Sequence, residues 1–145
     1  MMLIRNKSDI PLEIIWQIVS EIDNDPHYWY GIKKVKNLTT DGNTIVRETV
    51  ISFRNSRCEE VITLYPTNQI LTQITKGPIT GEKVLNITKI SHVQCMLEVK
   101  WDIQIHGYMR LFSFAIKKHI LKGTTNSIDR IAKEGEKRYK KGSMK

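Results

Sequence analysis

The chain's 145 residues are enough to bury a substantial core within one domain spanning residues 1–145. With 40% hydrophobic and 26% charged residues it has the balance of a globular protein, which excludes intrinsic disorder. No apolar run approaches the ~20 residues of a membrane-spanning helix. Arg5, Lys7 and Asp9 interrupt the N-terminus where a secretory signal needs apolar continuity, so a cytoplasmic location is expected. The formal net charge is +8, and +7 of it lies in residues 117–145, where ten Lys/Arg stand against three Asp/Glu.

Asp9 and Pro11 signal a helix start, and Ile14, Ile15, Ile18, Val19 and Ile22 then recur at helical spacing. A second short helical turn opens at Asp25-Pro26 and carries Tyr28, Trp29 and Tyr30. From there to about residue 105 the pattern is that of strands. Asp41-Gly42-Asn43 turns between Lys33–Thr40 and Thr44–Phe53, and Arg54–Arg57 separates the latter from Cys58–Tyr65. Pro66-Thr67-Asn68 leads into Gln69–Thr75. Lys76-Gly77-Pro78 runs through Gly81 into Glu82–Ile90, and Ser91-His92 turns into Val93–Ile105. Connections this short predict antiparallel neighbours.

The last strand alternates most clearly: Val93, Cys95, Leu97, Val99, Trp101, Ile103 and Ile105 form one apolar face. Thr44–Phe53 carries apolar residues on both faces, so its inward side is not assigned. After Gly107 the spacing predicts a helix from Tyr108 to about Tyr139. Its stripe comprises Met109, Phe112, Ile116, Ile120, Ile128 and Ile131, with a kink or break allowed at Gly123–Asn126. The order is a short strand, two short helices, six strands and one long helix, an α+β architecture.

That order resembles the START-like (SRPBCC) superfamily, which includes polyketide cyclases/dehydrases and lipid-transport-like proteins. Locally similar pieces are Pro11-Leu12-Glu13-Ile14-Ile15-Trp16, Trp29, Arg47-Glu48, Gly77-Pro78 to Gly81, and Ile128-Asp129-Arg130-Ile131-Ala132. The resemblance implies a helix-grip fold, a curved antiparallel sheet of six or seven strands wrapped around the C-terminal helix. It also implies a cavity between sheet and helix for a lipid, quinone or polyketide-like ligand.

Cavity candidates are Trp101 and Ile103 on the last strand and Tyr108, Phe112, Ile116 and Ile120 on the last helix; core filling is the commoner role at any one of these positions, and the pocket is what the resemblance implies. Trp29 is read as a lid near the cavity mouth or an aromatic plug. Arg47, Glu48 and Tyr65 are the polar strand residues placed to reach a ligand; Arg47 and Glu48 point to opposite faces, so at most one of the two faces the pocket, and a solvated face is the commoner place for either. No catalytic, metal or cofactor motif is present: the four histidines have no partner that marks a general base, and Cys58 and Cys95 are too far apart for a CxxC site.

Three functions remain: a carrier of a hydrophobic small molecule, a cyclase or dehydratase using the same pocket, and a module binding a macromolecule through the basic last helix. Titratable groups converging deep in the cavity favour the second, an apolar lining the first, and a filled cavity the third. The basic C-terminus, Lys133–Lys145, offers peripheral contact with an anionic membrane. It lacks the interleaved aromatics expected of a nucleic-acid surface.

Overall fold

The computed structural model describes residues 1–143 and follows the predicted order. Strand β1 (Met2–Ser8) precedes α1 (Leu12–Val19), and a 3-10 turn runs into the short α2 (Asp25–Tyr28). Six strands follow: β2 (Ile32–Asp41), β3 (Thr44–Ile51), β4 (Arg57–Tyr65), β5 (Gln69–Lys76), β6 (Ile79–Ser91) and β7 (Gln94–Ile105). A 3-10 segment (Gly107–Phe112) leads into α3 (Ser113–Ser143). Met144 and Lys145, the end of the predicted basic tail, lie outside the described residues.

All seven strands form one antiparallel sheet in the order β1-β7-β6-β5-β4-β3-β2. Short hairpins join β2 through β7 in sequence, and the N-terminal strand closes against β7 at the far side. The alternation predicted for β7 holds: Cys95, Leu97, Val99, Ile103 and Ile105 are buried, while Val93 sits exposed in the turn. The inward side of β3, which the sequence left open, is Ile45, Arg47 and Thr49. Two of those three are polar, so alternation alone could not find that face. The β2 edge is mostly exposed and bears Lys33, Lys34 and Lys36, charges that discourage edge-to-edge pairing.

Gly81 stands inside β6 with φ +131°, and a Cβ there would lie 2.1 Å from the Asp102 carbonyl oxygen. Only glycine lets β6 lie this close to β7 at that point. Gly135 does similar work in α3, where an added Cβ would come within 3.0 Å of the Ile10 and Ile15 side chains. Here α3 lies on α1, and Ile128 and Ile131 bury against the Ile10, Ile15 and Ile18 group.

The long helix differs from expectation at two places. Its α-helical part begins at Ser113, and it is unbroken through Gly123–Asn126. Thr124, Thr125 and Ser127 donate their hydroxyls to the carbonyls of Ile120, Leu121 and Gly123 (2.7, 3.0 and 2.7 Å), so these residues are satisfied inside the helix. The predicted stripe also needs correction at its start. Met109 covers Ile79, Ile103 and Ile105 at the end of the sheet, leaving Phe112 no apolar surface, and Phe112 is 54% exposed.

Candidate functional site

Two rows of side chains cross the inward face of the sheet. One runs Ile45, Ile62, Thr72, Lys83, Trp101 from β3 to β7, and the next runs Arg47, Glu60, Ile74, Gly81, Ile103. The larger core cluster packs at the α1 end and a smaller one, with Ile79, Met109 and Ile116, at the other. A cavity of about 270 Å³ remains between sheet and α3. Its apolar walls include Ile51, Ile74, Ile79, Trp101, Ile116 and Ile120, while Glu60, Thr72 and Lys83 bring polar atoms to it. Its exposed lining residues include Tyr30 and Gly31 before β2, and His119 and Lys122 on α3, which define a rim.

Several polar side chains hold this frame. The Trp101 indole Nε1 donates to Thr124 Oγ1 (3.1 Å), pinning the ring against α3. The backbone N–H of Tyr30 donates to Ser127 Oγ (3.4 Å), and the Arg130 guanidinium lies 3.9 Å from the Tyr30 ring centroid. The segment after α2 is therefore fastened to α3 beside the rim.

Behind the cavity is a buried ionic group. Arg47, 1% exposed, donates to Asp25 Oδ2 and Glu60 Oε1, each at 2.6 Å, and to the Ile22 carbonyl at 2.9 Å. Burial disfavours the Arg47 charge, but the two carboxylates outweigh it and hold the guanidinium above its ordinary pKa. Burial likewise raises the Asp25 carboxyl, against the pull of Arg47 and Lys83. With both carboxylates ionised, one arginine leaves a net negative charge in the interior.

Lys83 supplies the fourth charge. Its Nζ lies 3.6 Å from the Trp29 ring centroid and 5.3 Å from that of Trp101, and it makes no ion pair within 4 Å among the described residues. Burial lowers its pKa below the ordinary lysine value, with Asp25 and Glu60 pulling the other way. The amine thus has no acceptor among the described residues and is held between two indoles at the wall of an apolar space.

The predicted site residues divide. Trp29, Trp101, Ile116 and Ile120 line the cavity. Trp29 is 6% exposed and packs against the Lys83 amine, inside the rim formed by Tyr30. Arg47 faces inward but is consumed by its ion pairs, and Ile103 packs in the smaller cluster. Tyr65, Tyr108 and Phe112 lie outside the lining, at 46%, 60% and 54% exposure. Tyr65 ends β4 at a turn, and Tyr108 points outward to accept a hydrogen bond from Arg54 Nη1 (2.9 Å). The sequence gives no site role to Lys83 or Glu60, and reads Asp25 only as a helix start. Extending the inward phase of Leu85 and Ile87 back along β6 places Lys83 inside, the one signal that could have found it. Cys58, which lines the cavity, and Cys95 are free, and burial raises each thiol pKa to about 11.

No protein-family model matches the sequence, and no curated protein matches it. Among solved structures, the chain is similar to the Zhui aromatase/cyclase of Streptomyces sp. R1128, with a TM-score of 0.79 at 11% identity over 95% of this chain and 94% of that one. It is also similar to a START superfamily protein of Mycobacterium smegmatis, with a TM-score of 0.69 at 16% identity over 94% and 97%. The di-domain aromatase/cyclase StfQ of the steffimycin pathway gives 0.68 at 9% identity, with 97% of this chain matching 46% of that one. The curved antiparallel sheet, its strand order and the long C-terminal helix, together with these likenesses, establish that the chain has the START-like (SRPBCC) helix-grip fold.

Proposed function

We propose that this chain binds a compact hydrophobic small molecule in the cavity between the sheet and α3, with an oxygen acceptor of the ligand turned toward Lys83. The observation that carries this reading is an unfilled apolar space with the Lys83 amine, which has no hydrogen-bond acceptor among the described residues, opening onto it. Its volume of about 270 Å³ lies just below the ~300 Å³ at which ligand pockets ordinarily begin, so the ligand is one of one or two rings or a short chain. The ionic group favours a neutral acceptor, such as a carbonyl or hydroxyl, because Lys83 already balances Asp25, Glu60 and Arg47.

The test pairs a ligand titration with a thermal melt. One- and two-ring quinones and naphthols should quench tryptophan fluorescence, since Trp29 and Trp101 line the cavity, and should raise Tm by mass action. Ile120→Trp should weaken binding at least tenfold at less than ~1 kcal/mol of stability, because the added ring enters empty volume. In a filled core the same change costs ~1–3 kcal/mol. No response from the parent protein, combined with that larger loss, overturns the reading.

A second reading, a cyclase or dehydratase, is favoured by one specific observation: Glu60 and Lys83 reach the same apolar cavity from neighbouring rows of the sheet. A carboxylate and an amine so placed suit proton removal and oxyanion stabilisation. Aromatase/cyclase structures among those similar to this chain add to it. Incubation with a β-diketone decides between the two: recovery of the compound unchanged supports binding, and turnover abolished by Lys83→Met supports catalysis.

A further inference from the structure

Tyr108, Leu111, Phe112 and Phe114 are 60%, 85%, 54% and 84% exposed. Other large apolar side chains on the surface, such as Leu3, Leu38, Ile90 and Val93, are each less than half exposed. Four in seven residues is a patch, not the scatter normal on a soluble protein. The segment is firmly mounted. Met109 and Ile116, at 5% exposure each, anchor it into the smaller core cluster, and Arg54 lies 5.3 Å from the Tyr108 ring centroid while donating to its hydroxyl. The aromatic and leucine side chains therefore stand outward from a fixed base.

The segment's own charge has one sign. Between Asp102 and Asp129 the chain contains no acidic residue, while Arg110, Lys117, Lys118 and Lys122 are all exposed. We propose that residues 108–118 are a docking surface for an anionic lipid bilayer, with Leu111 and Phe114 entering the acyl boundary and Arg110, Lys117 and Lys118 meeting lipid headgroups. A second copy of the chain fits poorly, because a two-fold contact through this patch would oppose cations to cations with no acid in the segment to pair them. Nucleic acid would satisfy the lysines but leave Leu111 and Phe114 in water. A bilayer accepts both, with apolar side chains sinking roughly 5–10 Å and basic ones holding the surface.

The patch adjoins the rim of the cavity. Ile116 lies within it and His119, Ile120 and Lys122 follow it on α3, and all four line the cavity. A protein docked there would bring the rim close to the membrane surface, so a membrane-dissolved ligand need not cross open water. The docking surface itself rests on exposure and charge, and it stands whether or not the cavity is occupied. It also lies at the opposite end of α3 from the basic C-terminus that the sequence suggested for membrane contact.

The test is co-sedimentation of the full chain with vesicles. It should bind equimolar phosphatidylglycerol and phosphatidylcholine, bind phosphatidylcholine alone far more weakly, and be released as salt rises. Leu111→Ser with Phe114→Ser should weaken binding at least tenfold, and Lys117→Gln or Lys118→Gln about fivefold each. Because these side chains are exposed, the melts of the variants should match the parent. Lys137→Gln with Lys141→Gln, at the far end of the helix, should change binding less than twofold. The proposal is overturned if the parent ignores anionic vesicles, if the Leu111/Phe114 variant binds as well as the parent, or if the far-end variant loses as much. A parent dimer that the Leu111/Phe114 variant dissociates also overturns it.

Discussion

Arg47→Met removes the cation that links Asp25 and the Ile22 carbonyl, on the α1–α2 side, to Glu60 on β4. Two carboxylates are left in an interior where the arginine was 1% exposed, and breaking a buried pair from one side costs ~3–5 kcal/mol. At about 3 °C per kcal/mol for a chain of this length, Tm should fall by ~10–15 °C. The deficit should depend on pH. Burial already raises the Asp25 pKa while Arg47 lowers it, so losing Arg47 raises the folded-state value further above the unfolded one. The folded variant then binds more protons than the unfolded chain, and that stabilisation is present at low pH and lost as pH climbs. Urea unfolding of parent and variant at pH 5 and pH 8 should therefore show the smaller gap at pH 5. Adding Asp25→Asn and Glu60→Gln should recover most of the loss. A deficit under ~1 kcal/mol, the scale of an exposed pair, and equal at both pH values would refute the claim that the group is desolvated.

Gly81→Ala should cost at least ~2 kcal/mol by urea unfolding, since a Cβ at φ +131° meets the Asp102 carbonyl at 2.1 Å; a neutral substitution would mean that β6 and β7 do not approach as described. Lys83 has a folded-state pKa below 10.5, so up to about that pH the unfolded chain binds more protons and the lysine's contribution to stability rises with pH. The Tm of the parent relative to Lys83→Met should climb from pH 7 to 10, the two raised thiols cancelling in that difference; parallel profiles would show that the amine is solvated.

Much of the fold was legible because its signals are local. The β7 alternation, the turn residues between strands and the stripe on α3 each report on a few neighbouring positions. The site was less legible because it is assembled across strands. Asp25 reads as a helix-start residue beside Pro26, Glu60 as one acid of an adjacent pair, and Lys83 as a solvated lysine between Glu82 and Val84. Only the register that sets Arg47 opposite Glu60, and Lys83 opposite Thr72 and Trp101, makes them a group. Phe112 misled for the reverse reason: its spacing fits the helical stripe, yet Met109 already covers the end of the sheet there.

The pairing of β1 with β7 carries a kinetic consequence. Met2 lies opposite Trp101 and Ser8 opposite Cys95, so the N-terminal strand must wait for a partner about ninety residues downstream. Hairpins from β2 to β7 can zip locally, whereas closing this edge demands one long loop closure, paid for in chain entropy before any contact rewards it. The Arg47 ion pairs, by contrast, are completed by Ile22 and Asp25, which the 3-10 turn and α2 bring from just before β2. The ionic group therefore depends on separations of roughly ten to twenty-five residues, far shorter than the β1–β7 closure, so the two can form independently.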